Sequence, residues 1–305
     1  MSQMLTQGRE TMSNLPDWAK IGVATTAGLI SAYWLLRMYL KRPRSSPVTS
    51  VFEKDVVYLY QFPPTPFIVN LSPFCLKLET WLRMCGIKYE NKYAIYLRSR
   101  EGTLPFVELN GKEYVDSALI MRDFAKIFRK DVDADLSPEQ RGTARAVEQM
   151  VEQNLLKGYA YVRYMEHMHE LLTERIFGMK FPWYVELMKP LIRGQFKKQV
   201  MTNLKAAGIG KHSRDEIVNI ANTDLRALSE LIGKKKFLFG DKPHTADLTV
   251  FSNLSQIIYL PFDTPFIHFI KSELPNLIEY CDRIRDQFWP DWNEVCKSKP
   301  KGLDY

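Results

Sequence analysis

Residues 102–117 read G-T-L-P-F-V-E-L-N-G-K-E-Y-V-D-S, and their spacing predicts half of a small sheet. Residues 106–109 are a short apolar run, held between Pro105 and the pair Asn110-Gly111. Asn-Gly is what a two-residue hairpin turn selects, because both positions adopt positive φ. A partner strand over 112–115 follows, and Asp116-Ser117 open a helix expected to run to about residue 129.

Upstream, residues 56–60 (V-V-Y-L-Y) have the apolar, β-branched and aromatic character of a buried strand. A loop with Pro63, Pro64 and Pro66 leads to residues 70–84, N-L-S-P-F-C-L-K-L-E-T-W-L-R-M. Ser72 is placed to cap a helix whose first residue is Pro73. Phe74, Leu78, Trp81, Leu82 and Cys85 recur at three- and four-residue steps, so Lys77, Glu79 and Arg83 are expected to point away from that stripe. Gly86 stops the helix, and residues 89–96 alternate weakly as a second strand. The order β-α-β then β-β-α is that of a thioredoxin-like domain, spanning 55–130. In that fold Leu104-Pro105 precedes the third strand, where a cis proline exposes a backbone edge.

Residues 131–136 form a charged connector, and beyond it no strand alternation appears. Ser137-Pro138-Glu139-Gln140 is a capping box with proline at the first helical position. Helical patterns run over 138–174 and 181–207. Ser213 and Glu216 make a second capping box for a helix reaching 232. The expectation is an all-helical domain over 131–300. Residues 178–201 mix aromatics with five basic residues. They read as a hairpin packed on the bundle with solvated lysines, the alternative being a helix lying against a membrane surface.

The net charge of +7 is concentrated at the start of the chain. Residues 1–44 carry six basic groups against Glu10 and Asp17, which leaves +3 on the rest and no basic stripe for nucleic acid. Cys75, Cys85, Cys281 and Cys296 are widely spaced, and the histidines show no metal-ligand pattern, so no metal is expected. Residues 21–40 (I-G-V-A-T-T-A-G-L-I-S-A-Y-W-L-L-R-M-Y-L) have an uncharged run of sixteen residues, interfacial aromatics and a following Lys41-Arg42-Pro43-Arg44. They suggest a single membrane span over 19–40 after an N-terminal tail of 1–18, with a linker over 41–54. The basic flank then puts the body of the protein in the cytosol, on the mitochondrial outer membrane or another cytosol-facing membrane.

L-P-F-V-E at 104–108 with D-S-A-L-I at 116–120 resembles the glutathione-binding half of glutathione transferases. S-P-F-C at 72–75 resembles their N-terminal active-site corner. Together with G-I-G-K-H-S-R-D-E-I at 208–217 and D-L-R-A-L-S-E-L-I at 224–232, residues 70–84 resemble the failed axon connections family. That family is metaxin-related and has a glutathione S-transferase-like fold, and the likeness spans roughly residues 55–260.

The resemblance implies a site. Glutathione would pair with the backbone at Leu104 beside Pro105, Asp116 and Ser117 would hold its γ-glutamyl end, and Ser72 would donate to its thiolate. Cys75 takes the place of a buried second cysteine and is structural, since Ser72 offers it no disulfide partner. Gly240, Asp241, Ala246 and Asp247 match the transferase segment that starts a core helix, which gives Asp247 a structural role. His244 stands where that segment has Ser or Thr, so Thr245 is a candidate to take over the cap. One element is short: only L-R-S-R-E-G-T-L lies between the second strand and Pro105, where transferases have a further helix. Two readings stay open. One is a membrane-anchored adaptor or membrane-organising protein in axon or neuronal development, needing no cofactor and contacting other proteins, a second copy included. The other is a glutathione-dependent transferase or detoxification protein that uses Ser72.

Overall fold

Strand β1 (Val57–Gln61) is buried along its whole length, and two neighbours flank it. It pairs in parallel with β2 (Tyr89–Tyr93), Val57 opposite Tyr89, and antiparallel with β3 (Phe106–Leu109), Val57 opposite Leu109. β3 turns into β4 (Lys112–Val115) through Asn110 and Gly111, both at positive φ. The sheet order is β2-β1-β3-β4. Side chains alternate between its faces. Val57, Leu59, Val107 and Leu109 join the main core, whereas Tyr58, Tyr60, Phe106 and Val115 form a second cluster, in which Tyr60 stacks on Phe106 at 4.4 Å. The Leu104–Pro105 peptide is cis.

The structure is a computed structural model that describes residues 51–95 and 97–298, together with residues 16, 17, 19, 22, 31, 48 and 49. Residues 46–305 form one compact unit, distinct from residues 1–45. Helix α1 (Pro73–Cys85) starts at Ser72 and ends at Gly86, which adopts the left-handed conformation. Helix α2 (Ser117–Ile127) follows the hairpin. No helix forms over 97–104 between β2 and β3.

The helical part begins with α3 (Pro138–Met150), whose capping box is complete. It passes through a π turn (Val151–Leu155) into α4 (Leu156–Met165). The helical pattern over 138–174 is interrupted beyond α4. His167 and Thr173 leave helical backbone, so only two single turns follow, α5 (Met168–Leu171) and α6 (Glu174–Phe177). Then come α7 (Trp183–Ala206), α8 (Arg214–Ile232) and α9 (Thr245–Ile258), with α10 (Pro265–Glu273), α11 (Asn276–Phe288) and α12 (Trp292–Lys297) closing the bundle. Helix α9 is buried from Ala246 to Ile257 and packs against α1.

Two expectations are corrected. Lys77 and Glu79 do not point away from the core: both are buried, Glu79 against Gln61 and Asn91 of the sheet and Lys77 against Glu152 of the helical part. The single membrane span expected over 19–40 is withdrawn as well. No helix among the described residues is long and apolar enough to cross a membrane. Within 19–40 only residues 19, 22 and 31 are described, and the rest of that expectation lies outside the described residues. The sequence itself is marginal, since a bilayer core calls for about twenty apolar residues and Thr25, Thr26 and Ser31 dilute this run. The mitochondrial outer-membrane expectation was argued from that span, and no span among the described residues supports it.

Candidate functional site

The loop before α1 is organised by Asn70. Its side chain donates to Phe62 O (2.9 Å) and Gln61 Oε1 (3.2 Å), and its Oδ1 accepts from Ser72 N (2.9 Å). An asparagine two residues ahead of a cap closes the turn that a helix needs at its entry. Ser72, half-buried, accepts at Oγ from Cys75 N at 3.4 Å. This is a long cap bond, and the Ser72 side chain also hydrogen-bonds the Cys75 thiol. Cys75 lies wholly inside, and burial pushes its thiol up to about 12. A thiol held there is neutral at physiological pH and a poor nucleophile.

The helical part reaches this corner directly. Gln256 of α9 donates to Asn70 O (3.0 Å). Arg163 of α4, also buried, donates to Leu71 O (3.4 Å) and to Gln256 O (2.9 Å) and Oε1 (3.1 Å). Arg98, in the segment that replaces the missing helix, donates to Ile95 O (2.7 Å) and Leu97 O (2.8 Å) and faces the Phe62 ring at 5.2 Å.

At the start of α2, Asp116 is exposed and holds φ 66°, a conformation that Asp tolerates better than most residues. Its Oδ1 accepts from Ala118 N (2.9 Å) and Leu119 N (3.0 Å). Those are the amides that an incoming carboxylate would seek at a helix N-terminus. Ser117 beside it is buried, and half-buried Leu104 packs on the Tyr58–Phe106 cluster.

Beneath the corner lies a polar cluster absent from the expectations above. Glu79 accepts from Gln61 Nε2, Asn91 Nδ2 (2.7 Å) and Tyr89 OH (3.0 Å). Burial pushes its carboxyl above the usual range, against the pull of those hydrogen bonds and of Arg83. Lys77 pairs with Glu152 beside the π turn. A sequence signal for this existed: Cys75, Leu76, Leu78, Thr80, Trp81 and Leu82 put apolar or small residues all round α1, which marks a helix buried on every side.

Asp247, fully buried, accepts from Leu238 N (2.8 Å), His244 N (2.8 Å) and Tyr280 OH (2.7 Å). His244 does not cap α9 with its ring, whose Nε2 lies 3.1 Å from Asp135 Oδ1. The start of α9 is capped from the connector instead, where Asp133 Oδ1 accepts from Thr245 N at 2.9 Å.

A sizeable cavity lies elsewhere. A groove of about 740 Å³ runs between α2 and α3, with Trp81, Leu119, Arg122, Arg141 and Glu148 among its walls. None of Ser72, Leu104, Pro105, Asp116 or Ser117 lines it.

A four-stranded thioredoxin-like layer joined to a helical bundle, with a capped serine corner and a proline-led third strand, defines the glutathione S-transferase-like class. Residues 73–169 match the family model for the glutathione S-transferase N-terminal domain and 221–284 that for the C-terminal domain. A glutathione transferase from Phanerochaete chrysosporium superposes with a TM-score of 0.53 at 13% identity, over 82% of this chain and all of its own. The protein named Failed axon connections from Drosophila melanogaster is 40% identical over 254 residues, covering 80% of this chain and 61% of that protein. The isoprene-epoxide glutathione S-transferase of Rhodococcus sp. is 26% identical over 76% of this chain and 99% of its own. Mouse metaxin-2 is 23% identical over 72% and 83%. The chain belongs to the failed axon connections family, a metaxin-related group with the glutathione S-transferase-like fold. It spans 61% of the length of the Drosophila relative.

Proposed function

We propose that this protein is an adaptor that uses a transferase scaffold for contacts with other proteins. The name of the Drosophila relative supports placing that role in the formation of axon connections. The observation that carries the reading is the state of the tripeptide-binding groups. The α2 amides of Ala118 and Leu119 are taken by Asp116. The helix that would complete the wall beside Pro105 is reduced to residues 97–104. Glutathione therefore fits poorly as a resident ligand.

The rival reading keeps one observation, the Ser72 hydroxyl at the N-terminus of α1. There it would donate to a thiolate and, with the helix dipole, lower its pKa. Calorimetric titration of the full chain with glutathione separates the two. No saturable heat at millimolar ligand is expected. Saturable binding that Asp116→Ala abolishes, in a variant whose far-ultraviolet circular dichroism is unchanged, would overturn the adaptor reading.

A further inference from the structure

Helix α7 is anomalous for a surface helix. Of its residues only Leu204, near the C-terminal end, is fully buried. Its packed side is fixed by Phe196, whose ring centroid is 5.4 Å from that of Tyr164, and by Lys197, whose Nζ donates to Met165 O at 2.6 Å. On the other side, over the first half, five large apolar residues face solvent. Trp183 is 78% exposed and Leu187 75%, with Tyr184, Met188 and Leu191 around half exposed. Trp183, Leu187 and Leu191 are four apart, and Tyr184 and Met188 run beside them, so they form one continuous stripe. The packed-hairpin reading of 178–201 does not describe this segment. A contiguous exposed apolar patch of this kind marks a docking surface.

The charges around it say what docks. Residues 180–205 carry six cations, Lys180, Lys189, Arg193, Lys197, Lys198 and Lys205, against the single acid Glu186. That acid is already neutralised by Lys189 at 2.7 Å. Lys198 and Lys205 lie seven and fourteen residues beyond Leu191, so they continue the same face about 10 and 21 Å further along the axis. Two copies meeting stripe to stripe would bring Lys198 and Lys205 of each together if parallel and leave both cationic extensions without an acidic partner if antiparallel. An aromatic and aliphatic face with a cationic extension is instead the composition of a helix that rests in an anionic lipid interface.

We propose that the N-terminal half of α7 docks peripherally on an anionic lipid surface. The stripe from Trp183 to Leu191 enters the boundary between headgroups and acyl chains, and Lys198 and Lys205 contact acidic headgroups. Helix α7 itself does not cross the bilayer in this arrangement, which stands independently of whether the Ser72 corner binds a thiol.

The test uses the full chain carrying Leu187→Cys, labelled with an environment-sensitive dye. The four native cysteines are buried, so the label goes to position 187. Phosphatidylcholine vesicles are compared with vesicles of phosphatidylcholine and phosphatidylserine mixed two to one. The expected result is a blue shift on the mixed vesicles only, reversed by raised salt. The lipid concentration at half-effect should rise at least about tenfold in Lys198→Glu/Lys205→Glu, since each basic residue near such a surface contributes roughly fivefold in affinity. A dye that stays in water while the protein floats with vesicles through another segment would overturn the proposal. So would an equal shift on neutral vesicles, or a shift that follows protein concentration without lipid and so reports a second copy.

Discussion

Arg83 lies over the ring of Trp289 at 3.7 Å while both of its terminal nitrogens bind the Asp291 carboxylate, at 2.6 and 3.0 Å. One side chain of α1 thereby fastens the last turns of the chain to the sheet domain, and Trp289 Nε1 adds a bond to Thr80 Oγ1 at 3.0 Å.

Because the fork is planar, bidentate and stacked, lysine cannot reproduce it. Arg83→Ala should lose about 2 kcal/mol in urea unfolding, and Arg83→Lys should recover less than half of that loss. Full recovery in Arg83→Lys would show that only the charge matters.

Ser72→Ala should cost about 0.5–1 kcal/mol, the low end for a cap, because the bond it loses is long. Ser72→Asp should restore the loss, since a carboxylate also suits a helix N-terminus. Cys75, Cys85 and Cys296 all have thiols pushed up to about 12 by burial. Native protein at pH 8 should therefore show no fast phase with a chromogenic disulfide reagent, and unfolded protein should react at once.

Asp224 of α8 accepts from Asn154 Nδ2 at 2.7 Å, yet burial raises its pKa from 3.8 to about 6. The folded chain thus holds this proton more tightly than the unfolded one. Stability from this group is full below pH 4 and is lost as pH rises through 6. Asp224→Asn should accordingly raise the melting temperature at pH 7 by an amount that disappears near pH 4. A gain independent of pH would refute the assignment.

Two helical glycines should respond in opposite directions to alanine. A Cβ at Gly158 would meet the Ala221 Cβ at 2.7 Å, where α4 crosses α8, whereas Gly142 in α3 faces open space. Gly158→Ala is expected to destabilise by about 1–3 kcal/mol through overpacking. Gly142→Ala is expected to stabilise by about 0.5–1 kcal/mol through backbone entropy. Denaturant midpoints read both.

The hairpin at Asn110-Gly111, the caps at Ser72, Ser137 and Ser213 and the two-layer fold were legible because each follows from local chemistry within a few residues. What stayed hidden depends on contacts distant in sequence. The apolar and small residues all round α1 signalled the burial of Lys77 and Glu79, but that α9 supplies part of the cover is not written in residues 73–85. The capping of α9 by Asp133 joins residues more than a hundred positions apart. The break after Met165 left no Gly or Pro to mark it. At the candidate site, Ser72 and Asp116-Ser117 were legible as helix starts. It did not show that Asp116 occupies the amides of its own helix, because a cap and a ligand contact use the same residue types.

The carbonyls of Asn70 and Leu71 are held from α9 and α4 by Gln256 and Arg163. Opening the serine corner therefore means opening the bundle as well. Amides of α1, the Asn70 loop and α9 should then exchange with deuterium in one cooperative event rather than domain by domain. Such a protein has no loose half to lend to substrate capture, and what it offers a partner is a surface of fixed shape.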